Sequence, residues 1–335
     1  MTGSTVPFGG VGVAGLPFPP VSGATAITVG SFDGVHLGHA ALIDVARAAV
    51  GHAGRVVVLA FFPHPLTTLR PDAAPPRLST WAQRERWLLG AGADEVVRLE
   101  PAPDFLALTP ERFVERIAAA HSPSAWIEGP DFRFGRGRAG GAETLRRLAG
   151  VHGFEAVIVE PIEAVLTDLT IAPASSTLTR WLVARGRVRD AAAVLGRPSA
   201  LEGEVVPGEQ RGREIGCATA NVRPDTLVPA DGVYAGRAVL PDGRRLPAAI
   251  SVGTKPTFGD HPRTVEAHLL DDTGEPWDGL GIAGTPMGYG WRLELLIEDW
   301  LREQIRYDRL DDLTAQIDRD IEITRRLVLG AGALA

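Results

Sequence analysis

The first part of the chain alternates short apolar runs with segments of helical spacing. Ile27 and Val29 alternate with small or polar residues, as in a short strand. Leu42, Val45 and Ala49 then fall on one stripe of a predicted helix. This rhythm predicts a doubly wound α/β sheet, in which ligands bind beyond the carboxyl ends of the strands. Further strands are predicted at Arg55–Phe61, Glu95–Leu99, Ala125–Ile127 and Ala156–Val159, and helices at Trp81–Leu89, from Thr109-Pro110 onward and at Thr144–Val151.

The pattern changes after residue 196, beyond a segment (175–196) that is typical of one helix and its exit. Apolar runs become short and are broken by turns, and Asp242-Gly243 is a strong hairpin signal. A small antiparallel β-barrel is predicted, followed by a helix over Asp311–Leu327. Its stripe of Leu313, Ile317, Ile321 and Thr324 is expected to pack against the barrel. The strand-like runs are Gly203–Val206, Val233–Val239, Leu246–Val252, Thr264–Leu270 and Arg292–Ile297.

Composition narrows the classes of function. A length of 335 residues favours two domains, and we predict a flexible arm over 1–22, an α/β domain over 23–196 and a barrel domain over 197–335. The net charge of −7 argues against general nucleic-acid binding. The single cysteine, Cys217, excludes an intrachain disulfide and suits the cytoplasm. We expect no membrane segment, since the apolar run Val56–Phe62 is far too short to span a bilayer.

The stretch Ile27–Leu42, ITVGSFDGVHLGHAAL, carries the clearest candidate chemistry. A strand, a glycine-rich turn and a helix N-terminus together form a natural anion site, because the first helical N–H groups are unpaired. His36 and His39 add donors there, and Gly38 allows a phosphate to approach the backbone. Two alternatives stay open, a metal site and ordinary surface histidines. A phosphate site is favoured, because no third metal ligand is obvious nearby.

The phrase GSFDGVHLGH resembles the HxGH signature of Rossmann-like nucleotidyltransferases. The form FDGVHLGH is most similar to the FMN adenylyltransferase module of bacterial bifunctional riboflavin kinase/FAD synthetases. Three further segments resemble that module in family order: PHP at Pro63–Pro65, GPDFRFGRGRAG at Gly129–Gly140 and SSTLTR at Ser175–Arg180. Two positions depart from the family pattern. Ser31 stands where the family more often has Asn, and Gly141 stands where it commonly has Asp.

The resemblance implies roles for particular residues of the first domain. It makes His36 and His39 catalytic. Phe132 and Phe134 have two open interpretations, as a border to an aromatic ring or as core. The implied nucleotide-binding residues are Gly30, Phe32, Asp33, Gly38, Ser176, Thr177 and Arg180, and the implied flavin-binding residues are His64, Asp131 and Phe132.

The second domain resembles the riboflavin kinase module through RGREIGCATAN at Arg211–Asn221, then PADGVYAG, VGTKPTFG and TVEAHLLD. The resemblance implies that Thr219 and Asn221 hold Mg²⁺ and phosphates. It also implies that the nucleotide contacts Gly212, Arg213 and Gly216. Ala218 replaces the proline of the family loop, which raises doubt about kinase rate or affinity.

Glu266 is the candidate base of the kinase. In TVEAHLLD the residues Val265, Ala267 and Leu269 alternate with Glu266 and His268, so one strand face is apolar. A carboxylate within hydrogen-bond reach suits removal of the proton from a substrate hydroxyl. An isolated Glu would be read as part of a solvated strand face, and the surrounding family motif favours the catalytic role.

The resemblance therefore implies an enzyme that converts riboflavin and ATP to FMN, and FMN and ATP to FAD and pyrophosphate. We expect Mg²⁺ as cofactor, ATP as co-substrate, and a monomer or weak homo-oligomer. An adenylyltransferase with a weakened or inactive kinase domain is one alternative. A flavin-binding or regulatory protein with two degenerate sites is another. A third is a nucleotidyltransferase for a different phosphorylated substrate, which would leave the barrel motifs unexplained.

Overall fold

The computed structural model describes residues 23–208, 219–254, 263–271, 273–277 and 289–330, so the predicted arm over 1–22 lies outside the described residues. The chain forms two compact units. The first contains the described residues up to Pro76, Trp81–Val165 and Ile171–Ser176, and the second contains Arg77–Thr80, Leu166–Thr170 and the described residues from Thr177 onward. The domain boundary at 196–197 stays a prediction, and the compact units divide instead at Ser176 and Thr177.

The first unit is built on a five-stranded sheet in the order β3-β2-β1-β4-β5, with all strands parallel. This confirms the doubly wound α/β prediction. Its elements are β1 (Thr25–Gly30), α1 (Leu37–Val50), β2 (Arg55–Phe61), α2 (Leu66–Leu69), α3 (Trp81–Gly90), β3 (Glu95–Leu99), α4 (Pro103–Leu106), α5 (Pro110–His121), β4 (Ala125–Glu128), α6 (Ala142–His152) and β5 (Glu155–Ile158).

Both faces of this sheet are covered, which explains why its strands are nearly continuous in apolar residues. Ala26 belongs to a core cluster that includes Ile43 of α1 and Leu88 of α3. Ile27 belongs to a second cluster with Phe113 of α5. Helix α5 begins as predicted, because the Thr109 side chain accepts a hydrogen bond from the backbone nitrogen of Arg112 at 3.4 Å.

The segment after β5 differs from the prediction. A two-stranded antiparallel sheet of β6 (Glu163–Val165) and β7 (Ile171–Pro173) was not predicted. The segment 175–196, predicted as one helix and its exit, contains two helices, α7 (Ser176–Val183) and α8 (Val188–Leu195). The break has a local cause: Gly186 adopts φ +71°, and a β-carbon there would lie 3.0 Å from the Tyr234 hydroxyl.

The second unit contains a closed antiparallel barrel in the order β10-β11-β12-β9-β8-β13, as predicted. The Asp242-Gly243 turn joins β10 to β11, with Gly243 at φ +88°. Strand β9 was not predicted, and its first two residues end the segment RGREIGCATAN that resembles the family loop. The elements are β8 (Ser199–Val206), β9 (Ala220–Pro224), β10 (Gly232–Val239), β11 (Arg245–Gly253), β12 (Thr264–Leu269), β13 (Arg292–Arg302) and α9 (Leu310–Gly330).

Helix α9 packs on the barrel through a partly polar face. Thr324 and Val328 are buried, while Leu313 of the predicted stripe is only half-buried. Asp320 is also buried, and its carboxylate pairs with the Arg302 guanidinium at 2.6 Å. The apolar stripe therefore predicts the position of the helix, but it does not predict this ion pair. Within the described residues, no helix is long and apolar enough to cross a membrane.

Candidate active sites

The loop between β1 and α1 has an unusual backbone. Gly34 adopts φ +83°, as expected for glycine, but Phe32 (φ +49°) and Val35 (φ +44°) are also left-handed. Both non-glycine side chains are buried, so packing holds the loop in this conformation. We call residues Gly30–His39 the signature loop. Its shape is fixed by the core beneath it.

The two histidines lie together at the start of α1. Their rings stack with centroids 3.6 Å apart, and the Phe32 ring lies 4.9 Å from that of His39. His39 Nδ1 accepts a hydrogen bond from the His36 backbone nitrogen at 3.3 Å. A β-carbon at Gly38 would lie 3.1 Å from the His36 ring and 3.3 Å from the Ala174 carbonyl oxygen. His36 is buried, so it is not an ordinary surface residue.

A buried arginine holds the signature loop, and sequence analysis did not identify it. Arg84 of α3 pairs with the Asp33 carboxylate at 2.7 Å, and both side chains are almost fully buried. The same guanidinium donates to the carbonyl oxygens of Ser31 at 2.6 Å and Phe61 at 3.0 Å. Arg84 therefore ties the signature loop to the end of β2. One signal was available, since Arg84 lies four residues before the buried Leu88, on the core side of its helix.

One residue of the SSTLTR segment reaches the signature loop. Ser176 Oγ donates to the Asp33 carbonyl oxygen at 2.7 Å, so this predicted nucleotide residue is placed beside the histidine loop. Thr177 and Arg180 follow on α7 and belong to the second compact unit. Thr177 is exposed and Arg180 is half-buried.

The three residues that the resemblance assigns to the flavin lie on the loops that follow β2 and β4. His64 is half-buried, and its Nδ1 accepts a hydrogen bond from the Leu66 backbone nitrogen at 3.1 Å. Asp131 is exposed, and Phe132 is half-buried with its ring stacked 5.1 Å from that of Phe134. Phe134 itself is core. Because β1, β2 and β4 are neighbouring parallel strands, these loops leave the same edge of the sheet.

In the barrel, strand pairing assembles the candidate kinase site. Val265, Ala267 and Leu269 lie in the barrel core, which confirms the predicted alternation of β12. Glu266 is therefore on the outer face, where it lies opposite Ser251 of β11 and Asn221 of β9. We call Ser251, Glu266 and Asn221 the outer row. His268 shares this face but is buried, so the face is not simply solvated.

Gln304, in the segment after β13, was not identified from the sequence. Its Nε2 donates to Ser251 Oγ at 2.9 Å. A side chain at Gly253, whose φ is +145°, would overlap the Gln304 amide. The Gln304 amide is therefore held beside Ser251, at one end of the outer row. No spacing rule connects Gln304 to Glu266, which explains why only the structure finds it.

The oxygen atoms available near Glu266 suit a hard cation. Thr219 directly precedes β9 and Asn221 lies on it, so a hydroxyl and an amide oxygen are close in the chain. Mg²⁺ prefers such oxygen ligands and usually shares them with substrate phosphates. Within the described ranges, no three His, Cys, Asp or Glu side chains form a group that could hold a metal. Gly212, Arg213 and Gly216 lie outside the described residues.

Known proteins resemble the chain over nearly its whole length. A family model described as FAD synthetase matches residues 19–170, and one described as riboflavin kinase matches residues 195–328. A bifunctional riboflavin kinase/FMN adenylyltransferase of Escherichia coli K12 is 32% identical, over 95% of this chain and 97% of the relative. A protein of the same description from Pseudomonas fluorescens is 32% identical, over 90% and 92%. A crystal structure described as a macrolide-efflux protein from Streptococcus pneumoniae superposes with a TM-score of 0.75 at 30% identity, over 92% and 95%.

Proposed function

The chain belongs to the family of bifunctional riboflavin kinase/FMN adenylyltransferases, and we propose how its residues divide the two reactions. The enzyme phosphorylates riboflavin to FMN and adenylylates FMN to FAD. The adenylyl step is assigned to the parallel-sheet unit and the phosphoryl step to the barrel. One observation carries this division: each unit has its own group of residues suited to phosphate chemistry, the stacked histidines in one and the outer row in the other.

In the barrel, Glu266 accepts the proton of the terminal riboflavin hydroxyl as that oxygen attacks the γ-phosphorus of ATP. ADP leaves with the electrons of the broken bond. Asn221 lies directly opposite Glu266, so the base and a phosphate-site amide face the same substrate. Thr219 and Asn221 would hold Mg²⁺, and the bound ion would neutralise charge on the phosphates. Ser251 and Gln304 order the strand end beside the base.

In the parallel-sheet unit, an FMN phosphate oxygen attacks the α-phosphorus of ATP directly, and pyrophosphate leaves. No covalent enzyme intermediate is required. His36 and His39 supply donors to the charge that develops on the phosphate oxygens, and the positive end of the α1 helix dipole adds to this stabilisation. Catalysis then consists of positioning and charge stabilisation. His64, Asp131 and Phe132 are assigned to the flavin, on the loops beyond β2 and β4.

Two alternatives differ from this assignment in measurable ways. Ala218 in the kinase loop motivates an adenylyltransferase whose barrel phosphorylates weakly. A flavin-binding or regulatory protein would bind FMN and turn over neither substrate. The first alternative predicts FAD from supplied FMN but little FMN from riboflavin.

The deciding experiment incubates the pure protein with riboflavin, ATP and Mg²⁺ and resolves riboflavin, FMN and FAD over time. We expect FMN to appear first and FAD to follow, with neither product formed when EDTA is in excess over Mg²⁺. A second incubation starts from FMN and isolates the adenylyl step. FMN formation that is unaffected by EDTA would contradict the assignment of Mg²⁺ to Thr219 and Asn221. We expect a monomer or weak homo-oligomer in the cytoplasm, with no nucleic-acid or membrane partner.

A further inference from the structure

The central strand β1 separates from its neighbour β4 below the signature loop. β1 pairs with β2 along its whole length, from Thr25 to Gly30. With β4 it pairs only at Ala26 and Ile27. The chain runs from β1 to β2 and β3 on one side and then returns to β4 on the other. Such a switch in direction opens a crevice at the carboxyl ends of the two strands, and ligands bind there.

Glu128 bridges the two strands where they separate. It is the last residue of β4, it is only 3% exposed, and its Oε1 accepts a hydrogen bond from the Val29 backbone nitrogen at 2.8 Å. The same oxygen accepts from the Trp126 indole at 2.7 Å. The Trp126 ring packs 5.6 Å from Phe154 in the core. The Glu128 carboxyl oxygen therefore accepts the Val29 hydrogen bond in place of a main-chain carbonyl oxygen of β4.

The carboxyl group of Glu128 also has unusual electrostatics. Burial raises its pKa well above the ordinary value, against the two hydrogen bonds that favour ionisation, and the nearby Asp131 charge raises the pKa further. Burial therefore favours the protonated form of this carboxyl group more than it would be favoured at an exposed position.

We propose that Glu128 is a positioning residue for adenylyl transfer, which holds the end of β1 against β4 and so fixes where the signature loop presents its donors. Val29 directly precedes Gly30, the first residue of that loop. Arg84 holds the middle of the loop through Asp33, and Glu128 holds its beginning. The inference rests on the proposed adenylyl-transfer site at His36 and His39.

The test compares Glu128→Leu, Glu128→Gln and Glu128→Asp in the full chain, with FAD formation measured from supplied FMN. Leu cannot accept the Val29 hydrogen bond, and Asp is one methylene too short to reach it. Because small misplacements of reacting groups cost on the order of 10²-fold, we expect kcat to fall by about 10- to 100-fold in both, with KM for ATP changed by less than about 3-fold. Gln keeps the acceptor, so Glu128→Gln should retain the parental kcat.

Trp126→Phe is the matched control, because it removes the other donor to Oε1 but leaves the Val29 bond in place. We expect its FAD synthesis to stay at the parental level. Riboflavin phosphorylation should be unchanged in all four variants. Exchange of the Val29 amide hydrogen should be faster in Glu128→Leu than in the parent, and unchanged in Glu128→Gln.

Parental kcat in Glu128→Asp or in folded Glu128→Leu would overturn the proposal. A Glu128→Gln variant as slow as Glu128→Asp would also overturn it, because the acidic proton rather than the bridge would then matter. If Glu128→Leu does not fold, the Asp and Gln pair still decides. A parent that phosphorylates riboflavin but makes no FAD would instead refute the proposed adenylyl site. In that case the amide exchange of Val29 would still show whether the bridge exists.

Discussion

The two candidate sites are built in different ways. The signature loop is a contiguous segment, and its histidines are three residues apart on one helix start. The outer row draws one residue from each of three strands, and Asn221 and Glu266 meet only through the register of β9 and β12. A shift of that register by one residue would turn Glu266 into the barrel core. Local sequence can therefore encode the first site, whereas the second depends on the whole barrel.

The sites also differ in what supports them. The signature loop rests on a buried ion pair and on hydrogen bonds from Arg84 to two carbonyl oxygens. The outer row rests on backbone ladders, with the Gln304 amide at one end. Substitutions around the loop should thus affect adenylyl transfer alone, and substitutions in the row should affect phosphoryl transfer alone.

The largest effect is expected for Glu266→Gln. The change keeps size and hydrogen bonding but removes the proton acceptor, so riboflavin phosphorylation should slow by about 10²- to 10⁴-fold. Positioning dominates phosphoryl transfer, which favours the lower end of that range. Initial rates of FMN formation give the result. FAD synthesis from supplied FMN should be unaffected.

Glu204→Gln is the matched control for this variant. Glu204 lies on β8 of the same barrel, pairs with Arg223 and is not a member of the outer row. We expect parental kinase turnover. Parental turnover in Glu266→Gln itself would mean that the base lies elsewhere and Glu266 is an ordinary strand residue.

His39→Ala should have the next largest effect. Loss of one preorganised donor typically costs about 3–4 kcal/mol of transition-state stabilisation, so FAD formation should fall by roughly 10²- to 10³-fold. FMN should still accumulate from riboflavin, because Glu266 belongs to the other unit. His52→Ala, at an exposed position just after α1, is the control and should leave both activities intact. An equal loss of FMN formation in folded His39→Ala would refute the two-site assignment.

Arg84→Met should mainly reduce stability. Removing one partner of a buried pair leaves the Asp33 carboxylate uncompensated, which costs about 3–5 kcal/mol of unfolding free energy. Calorimetry should show unfolding at a lower temperature than in the parent. FAD synthesis should fall, whereas riboflavin phosphorylation should continue.

Arg55→Met provides the comparison for Arg84→Met. The Arg55–Glu95 pair lies on the same sheet, but its side chains are 63% and 45% exposed. Its loss should cost less than about 1 kcal/mol. Equal destabilisation by the two substitutions would show that burial of the Arg84–Asp33 pair adds nothing to the free energy of unfolding.

Much of the fold was predictable because its periodicities are strong and local. The strands Arg55–Phe61 and Glu95–Leu99 and the Thr109 cap of α5 agree with the sequence expectations. β9 was missed because Thr219 and Asn221 are turn-forming residue types, and only pairing with β8 and β12 reveals a strand. α8 was missed because the residues after Gly186, whose φ is +71°, were interpreted as the exit of the preceding helix.

Motif residues were predictable from the sequence, but the residues that support them were not. Arg84, Glu128 and Gln304 each act on a segment far away in the chain. A charged residue in an apolar pattern indicates burial with a partner but does not identify the partner. Tertiary structure is therefore required to find the groups that hold a catalytic loop in place.

Helix α8 contributes to the stability of the barrel, so the length of chain that the barrel needs is measurable. Val188 of α8 is buried in the barrel core cluster, and Arg189 pairs with Asp299 of β13. A fragment of residues 197–335 lacks both, whereas one of residues 177–335 keeps them. Since burying a Val side chain is worth about 1.5–3 kcal/mol, the longer fragment should be more stable by roughly that amount.

Both fragments should fold and phosphorylate riboflavin, and urea denaturation compares their stabilities directly. Each lacks Arg77–Thr80, where Thr80 donates to Glu202 at 2.6 Å, so that loss is common to both. Val188→Ala in the longer fragment separates the core contribution from the rest of 177–196. Equal stability of the two fragments would place the boundary of the independent kinase unit at residue 197. If the longer fragment is clearly more stable, α8 is part of the barrel unit. The domain boundary then lies before α8, and the boundary predicted from the sequence at 196–197 lies too late in the chain.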